Sequence, residues 1–139
     1  MKPRLRTWIW ATVGVTVVCG GPLALLYWFA TAWDDIGKPQ PADCAAVMTF
    51  AHGSLPESAE DARCTEAHFQ DTFVTADFRM ERAEVESWLS ATYPAGEPAL
   101  TCEQDLCVSV PYDEGVYADV SVTYEDGVTA LVRVKAYTT

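Results

Sequence analysis

The hydrophobic and polar positions of the chain divide it into two parts. Residues 7–33 form a run of 27 without a charged side chain, whereas residues 34–139 mix apolar and polar positions. As an α-helix rising about 1.5 Å per residue, the run would be about 40 Å long, and a bilayer core needs only about 20 apolar residues. The pattern predicts a transmembrane helix over 7–33, a linker over 34–42 and a folded domain over 43–139.

The flanks of the apolar run predict how this helix is oriented. Three basic residues lie in the short tail 1–6, and Asp34 and Asp35 follow the run. Because basic flanks stay preferentially in the cytoplasm, we expect a single-pass protein of the cell membrane, anchored in the lipid bilayer, with its N-terminus cytoplasmic and its C-terminal domain outside. Aromatic residues near the two ends of the run are typical of a membrane interface: Trp8, Trp10, Tyr27, Trp28 and Trp33.

Two further interpretations of the apolar run are open. Ala30-Thr31-Ala32 has the small-x-small form of a signal-peptidase site, so one alternative is a secreted acidic domain released by cleavage near Ala32. The run is longer than the ~7–15 residues of a signal-peptide core, which favours a retained signal-anchor. Small residues also recur on one helix face at Thr12, Thr16 and Gly20, a spacing that permits contact with a partner helix.

Four of the five cysteines follow the apolar run and indicate an oxidising compartment. An even number of cysteines in a small domain outside the cytoplasm predicts two disulfides. Of the three possible pairings we favour Cys44 with Cys64 and Cys102 with Cys107, because each joins elements that are close in sequence. Zinc binding is the alternative, but structural zinc sites prefer the tighter Cys-x2-Cys spacing, which neither pair has.

Alternation in the last third of the chain predicts an antiparallel β-meander. Every second residue is apolar along 108–112, 116–124 and 128–136. Two acidic turns of similar sequence join these segments, and Gly115 and Gly127 end them in the position that is left-handed in a three-residue hairpin loop. The three strands would then share one buried face.

Helical spacing precedes this meander. Apolar residues recur at helical intervals within 81–93, while 73–80 alternate as a further strand. Short helices are also expected after Asp43, as an N-cap, and from Pro56, as a first helical residue. The predicted fold class is therefore α+β, with an N-terminal transmembrane helix and a small two-layer domain in which helices cover an antiparallel meander.

Charge and composition narrow the range of partners. The part of the chain after the apolar run holds all twenty acidic residues and six of the nine basic ones, a net charge of −14. Such a surface repels nucleic acid and anionic lipid. The absence of Asn excludes N-glycosylation. Together with the scarcity of Lys and Ile and the excess of Ala, Val, Thr and Glu, it resembles uncharacterised small single-pass membrane-anchored proteins of high-GC Gram-positive bacteria, a compositional resemblance that implies no function and no site residue.

No residue pattern identifies a catalytic, cofactor or metal site. His52 and His68 lack further ligands at metal-binding spacing, and no nucleotide-binding glycine motif occurs. Asp77 with Glu84 or Asp119 is the carboxylate pairing that an accessory or weak enzyme acting on cell-envelope polymers would need. We keep that enzyme as the alternative. The leading expectation is a membrane-anchored extracytoplasmic domain that is not an enzyme and that interacts with a partner protein.

The polar side of the meander offers a candidate contact patch. Tyr117, Leu131 and Tyr137 fall on the face opposite the apolar alternation. Such residues either contact a partner protein or pack under the N-terminal helices. Trp88 and Met80 have the spacing of core residues, so we assign them to the interior rather than to a ligand groove.

Overall fold

The structure, a computed structural model, describes residues 9–10, 20–35, 37–113 and 115–138. The chain divides into two compact units, Met1–Ile36 and Gly37–Thr139. The first unit contains helix α1 (Gly21–Asp35). The second contains the sheet, two helices and both disulfides.

The transmembrane helix predicted over 7–33 is wrong. Helix α1 has 15 residues, which span about 22 Å, less than the ~30 Å of a bilayer core. Within the described ranges, no helix is both long enough and apolar enough to cross a membrane. Pro22 is the second residue of α1, and the first turn is the one part of a helix that tolerates proline without loss of a hydrogen bond.

The second unit consists mainly of one antiparallel sheet of seven strands. In chain order its elements are β1 (Gln40–Pro41), α2 (Cys44–Phe50), β2 (Glu60–His68), β3 (Thr72–Glu81), a 3-10 turn (Arg82–Glu84), α3 (Val85–Thr92), β4 (Glu97–Pro98), β5 (Leu106–Pro111), β6 (Val116–Tyr124) and β7 (Thr129–Thr138). The strands lie in the order β1-β2-β3-β7-β6-β5-β4. The predicted fold class is therefore wrong: strands β5, β6 and β7 are present, but they form part of a much larger sheet, and the helices are short.

The segment predicted as a helix from Pro56 is instead a turn, in which the N–H of Ala59 donates to the carbonyl oxygen of Pro56, followed by strand β2. It pairs antiparallel with β3, with Cys64 opposite Ala76 and a bulge between Glu60 and Arg63. Intrinsic helix propensity is a weak preference that tertiary pairing overrides. Here β2 satisfies the backbone N–H and C=O groups along an edge of β3 that would otherwise be open.

The buried face of the sheet is made by the even-numbered positions of its central strands. Among its most deeply buried side chains are Phe78, Val120, Val122, Val132 and Val134. Helix α2 adds Val47 and Met48 to this core, and α3 adds Trp88. The Trp88 ring stands edge-on to Phe78 at 5.5 Å between centroids, and its indole N–H donates to the carbonyl oxygen of Ser54 at 3.0 Å. Trp88 is thus a core residue whose polar atom is satisfied.

The two disulfides fasten separate parts of this unit. Cys44, the first residue of α2, is bonded to Cys64 in β2, with the Cα atoms 5.2 Å apart. Asp43 caps the same helix by accepting a hydrogen bond from the backbone N–H of Ala46 at 2.9 Å. The second disulfide joins Cys102 to Cys107 at the start of β5. These are the pairings that the sequence favours.

Each outermost strand of the sheet has only two residues, and one of them is proline. Pro41 lies in β1 and Pro98 in β4. Because proline has no N–H group, these short edges offer another chain few backbone hydrogen bonds. A partner would therefore find more surface on the uncovered face of the sheet than along its edges.

Candidate binding groove

Helices cover one face of the sheet, and the opposite face is accessible. The odd-numbered residues of β3, β6 and β7 point to this second face, and none of them is buried. We call it the open face. An antiparallel sheet commonly has one solvated face, so the presence of this surface alone does not identify a site.

Three aromatic side chains form a row across the open face. The register places Phe73 of β3 beside Tyr137 of β7, and Tyr137 beside Tyr117 of β6. The ring centroids are 5.9 Å and 5.6 Å apart, with the planes inclined by 21° and 20°. In such offset stacks the facing sides of the rings partly cover one another, so the row presents ring edges, two hydroxyl groups and the outer faces of its two end rings.

The predicted contact patch is only partly assembled. Tyr117 and Tyr137 are neighbours as described, but Leu131 lies six residues from Tyr137 along β7, opposite Thr123 of β6. At about 3.3 Å per residue, Leu131 is about 20 Å from the aromatic row. The sequence analysis missed Phe73, because alternation identifies the face of a residue and not its cross-strand neighbour.

Polar residues form the next two rows of the open face. Asp119 of β6 accepts a hydrogen bond from the hydroxyl of Ser109 at 2.6 Å. Lys135 of β7 lies beside Asp119 in the register, but it makes no ion pair in the part of the chain that the structure describes. Arg133 donates from Nε and Nη2 to the two carboxylate oxygens of Asp77, at 2.6 Å and 3.0 Å. This bidentate contact raises the pKa of the Arg133 guanidinium.

A disulfide-fastened loop turns part of the open face into a groove. The segment between β4 and β5 stands beside strands β5, β6 and β7, and the groove between them has a volume of about 810 Å³. Ligand sites commonly occupy about 300–1,000 Å³. The groove is lined by the fully exposed Leu100, by Gln104 and Cys107 of the fastened loop, and by Arg133 and Lys135 of the sheet.

The aromatic row contributes hydrogen-bond donors to the same groove. Tyr117 and Tyr137 both line it. Burial, followed by the negative charge of Asp119, the neighbouring Tyr117 and a hydrogen bond to Asp119, raises the pKa of Tyr137. The Tyr137 hydroxyl therefore keeps its proton at neutral pH and directs it to Asp119, whereas the Tyr117 hydroxyl can donate a hydrogen bond to a ligand.

A second, smaller cavity of about 570 Å³ lies beside the β6–β7 turn. Its cation, Arg79, already donates to both carboxylate oxygens of Glu125, at 2.8 Å and 2.9 Å, and to Asp61 at 3.3 Å. Arg82 lies over the ring of Tyr124, 4.0 Å from its centroid. Because these charges have partners within the domain, the cavity offers a ligand less than the groove does.

The two histidines lie apart from the groove and from each other. His52 follows α2 and stacks on Tyr112 at 4.2 Å between centroids. His68 ends β2, with its Nε2 atom 3.5 Å from a carboxylate oxygen of Glu66. Among the described residues, no group of three or more His, Cys, Asp or Glu side chains could hold a metal ion.

The carboxylates considered for an envelope enzyme are not brought together as a pair. Glu84, in the 3-10 turn, accepts a hydrogen bond from the hydroxyl of Ser58 at 2.5 Å. Asp77 and Asp119 both lie on the open face, but strand β7 separates them, which puts their backbones about 10 Å apart. Their carboxylates are engaged by Arg133 and Ser109 respectively.

The residues assigned to a membrane interface all belong to the first unit. Trp10, Tyr27, Trp28 and Trp33 are exposed, and Trp8 lies outside the described residues. Their assignment to an interface stays a prediction. Of the small residues proposed to contact a partner helix, Gly20 is exposed, and the other two, Thr12 and Thr16, lie outside the described residues.

Comparison with known proteins gives no indication of what the groove binds. No family model, no curated protein and no solved structure matches the chain significantly. The function must therefore be inferred from the residues of the groove themselves.

Proposed function

We propose that the unit Gly37–Thr139 is a protein-binding domain of an oxidising, extracytoplasmic compartment, and that its partner docks in the groove on the open face. One observation carries the proposal: an apolar side chain, hydrogen-bond donors and a cation without an ion pair converge in one groove on a rigid frame. Leu100 supplies the apolar group, Tyr117 a donor and Lys135 the cation.

The rigidity of the groove supports binding of a specific partner. Its floor is formed by central strands of a continuous sheet, and its wall is fastened to β5 by the bond between Cys102 and Cys107. Groups held on a rigid frame lose little conformational freedom when a partner binds. An exposed leucine on such a wall has the character of an anchor that a partner would bury.

The two disulfides support the compartment. Thiols are kept reduced in the cytosol, whereas disulfides persist in secreted and extracytoplasmic proteins. All four cysteines of this unit are paired. Binding rather than catalysis is favoured, because Asp77 and Asp119, the carboxylates considered for an enzyme, already accept hydrogen bonds from neighbouring side chains.

Site-specific photocrosslinking tests this proposal. A benzophenone amino acid is placed at Leu100 or Ser121 in the groove, and as a control at Glu57 or Glu86, which are exposed but not in the groove. The full-length chain is irradiated in intact cells of the species that encodes it. We expect a discrete protein adduct from both groove positions and none from the control positions. No adduct from the groove, or the same adduct from all four positions, would contradict the proposal.

A further inference from the structure

Resting on the proposed function, we infer that the segment bound in the groove is an acidic peptide that carries an apolar side chain next to its carboxylates. The first observation is where this acidic protein keeps its positive charge. Of the six basic residues after residue 33, four lie at outward positions of β2, β3 and β7 on the open face. They are Arg63, Arg79, Arg133 and Lys135.

The remaining surface would repel an acidic partner. Apart from the open face, residues 34–139 hold only two basic residues, Lys38 and Arg82, against most of the twenty acidic ones. At physiological salt, charges interact over about 8 Å, so the local charge decides which surface an acidic segment can contact. In the groove, two cations, Arg133 and Lys135, stand against two anions, Asp119 and Glu97, so an acidic segment meets less repulsion there than on the rest of this acidic surface.

On the sheet floor in and beside the groove, the carboxylates of Asp77 and Asp119 are engaged, whereas the positive groups are available. Asp77 is held by Arg133, and Asp119 accepts from Ser109. By contrast, Lys135 has no ion pair among the described residues, and Arg133 uses only Nε and Nη2, so its Nη1 amino group has no hydrogen bond within that part of the chain. A cationic ligand would have to displace existing contacts, whereas an anionic ligand would add new ones.

Glu97 is the one carboxylate lining the groove that has no hydrogen bond or ion pair within the described residues, but its position limits how strongly it repels a bound anion. It lies in the edge strand β4, which is separated from β7 by β5 and β6. At about 4.8 Å between neighbouring strands, its backbone is about 14 Å from that of Lys135. The charge of Glu97 is therefore screened from a carboxylate bound at Lys135.

The other groups of the groove favour a peptide over an acidic polysaccharide. Sugars pack flat against open faces of aromatic rings, but Tyr137 lies between two other rings of the row, and Phe73, one of its end rings, does not line the groove. The exposed ring edges carry the positive part of the ring quadrupole, which suits a carboxylate. Leu100 is fully exposed beside Pro98 and Ala99 on the wall, and it would bury apolar area against an apolar side chain of the ligand.

The experiment measures binding of synthetic peptides to the purified full-length protein by fluorescence anisotropy at physiological salt. The probes are labelled decapeptides of alternating Leu and Glu, of alternating Leu and Lys, and of alternating Ser and Glu. We expect the Leu-Glu peptide to bind and the Leu-Lys peptide not to. The Ser-Glu peptide should bind about tenfold more weakly, since it lacks the apolar contact with Leu100.

Two variants with a matched control locate the binding. Lys135→Glu should weaken binding of the Leu-Glu peptide about tenfold, because it removes an attraction and adds a repulsion. Lys38→Glu changes the net charge equally at the opposite edge of the sheet and should have less than about a twofold effect. Leu100→Ser should weaken binding of the Leu-Glu peptide but leave binding of the Ser-Glu peptide unchanged. Unchanged thermal unfolding confirms that each variant is folded.

The outcomes separate this inference from the proposed function. If groove positions crosslink to a protein but the Leu-Glu peptide does not bind, or if Lys38→Glu weakens it as much as Lys135→Glu, the chemistry inferred for the ligand is wrong while the groove still binds a protein. Tighter binding of polygalacturonate, an acidic polysaccharide, than of the Leu-Glu peptide would also overturn the inference. Absence of any crosslink from the groove would overturn the proposed function itself.

Discussion

Replacing Tyr93 by phenylalanine should stabilise the protein. Tyr93 follows helix α3 and is 3% exposed, and its hydroxyl is a buried polar atom without a hydrogen-bond partner in the described part of the chain. The pKa of Tyr93 is raised mainly by burial and further by the neighbouring Tyr112. Tyr93→Phe removes this unsatisfied group and keeps the ring, which stands edge-on to Trp88 at 5.9 Å between centroids.

The size of the effect follows from two opposing contributions. Burying a hydroxyl without a partner costs about 1–3 kcal/mol, which the variant recovers. Removing one oxygen atom also removes its van der Waals contacts with neighbours such as the backbone of Gly53, at about 0.1–0.2 kcal/mol for each pair of atoms. The free energy of unfolding should therefore rise by about 1 kcal/mol. For a unit of this size, that corresponds to an increase in Tm of about 4 °C or more.

Urea unfolding followed by circular dichroism, with thermal unfolding beside it, measures this change. Tyr112→Phe is the matched control, because the same atom is removed from a half-buried side chain that water can reach. Its free energy of unfolding should stay within about 0.5 kcal/mol of the wild type. If Tyr93→Phe instead lowered stability by 1 kcal/mol or more, the hydroxyl would have a partner and the reasoning from an unsatisfied group would be refuted.

Three further predictions concern the frame around the site. In the double variant Cys44→Ala, Cys64→Ala the free energy of unfolding, measured with urea, should fall by about 3 kcal/mol, because the disulfide closes a loop of 20 residues. An unchanged free energy of unfolding would show that this disulfide does not stabilise the fold. Two backbone N–H groups hold the pKa of Asp126 below its ordinary value of 3.8, so the stability that its carboxylate contributes is present above that pH and is lost as the pH falls further. The free energy of unfolding should therefore fall less steeply with acid in Asp126→Asn than in the wild type, and an equally steep fall would contradict this prediction. Gly53→Ala should lower the free energy of unfolding by about 1–3 kcal/mol, since the added Cβ would collide with the Tyr93 hydroxyl, and the same substitution should cost less in the Tyr93→Phe variant. Equal losses in the two backgrounds would show that the collision is with another group.

Alternation predicted the strands of the last third well, because one buried face constrains every second residue. The β5–β6 turn also has the predicted form: the N–H of Tyr112 donates to the carbonyl oxygen of Val116, and Gly115 has a positive φ of 74°. The β6–β7 turn closes in the same way, because the N–H of Glu125 donates to the carbonyl oxygen of Thr129, but it lies one residue later than predicted, and Tyr124 pairs with Ala130 rather than with Val128. Both registers keep even-numbered residues on one face, so alternation cannot distinguish them.

Local turn chemistry failed where a tertiary contact competed with it. Glycine most often takes the left-handed position after a helix, and Gly53 follows helix α2, but His52 occupies that position with φ 53°. The N–H groups of His52 and Gly53 close the helix by donating to the carbonyl oxygens of Thr49 and Met48. Gly53 is needed one position later, where Tyr93 approaches too closely for any Cβ atom. That demand comes from a residue 40 positions away, and no local pattern contains it.

The groove was less predictable than the fold for the same reason. Tyr117 and Tyr137 could be assigned to the outward face from alternation alone, but their row includes Phe73 only because β3 pairs with β7 across the centre of the sheet. That pairing joins strands far apart in sequence, and a shift of register by two residues would keep every residue on its face while changing all the neighbours. Sequence therefore identified candidate residues, whereas their arrangement required the structure.

The basic residues of the open face serve two different purposes, and this difference can be tested. Arg133 and Arg79 hold carboxylates of the same domain, so they have a structural explanation that needs no ligand. Lys135 has no such explanation among the described residues. Arg133→Gln should therefore lower the free energy of unfolding, whereas Lys135→Gln should leave it unchanged and weaken binding of the Leu-Glu peptide. If Lys135→Gln destabilised the fold as much as Arg133→Gln, Lys135 would be a structural cation too, and the case for an anionic ligand in the groove would lose its main support.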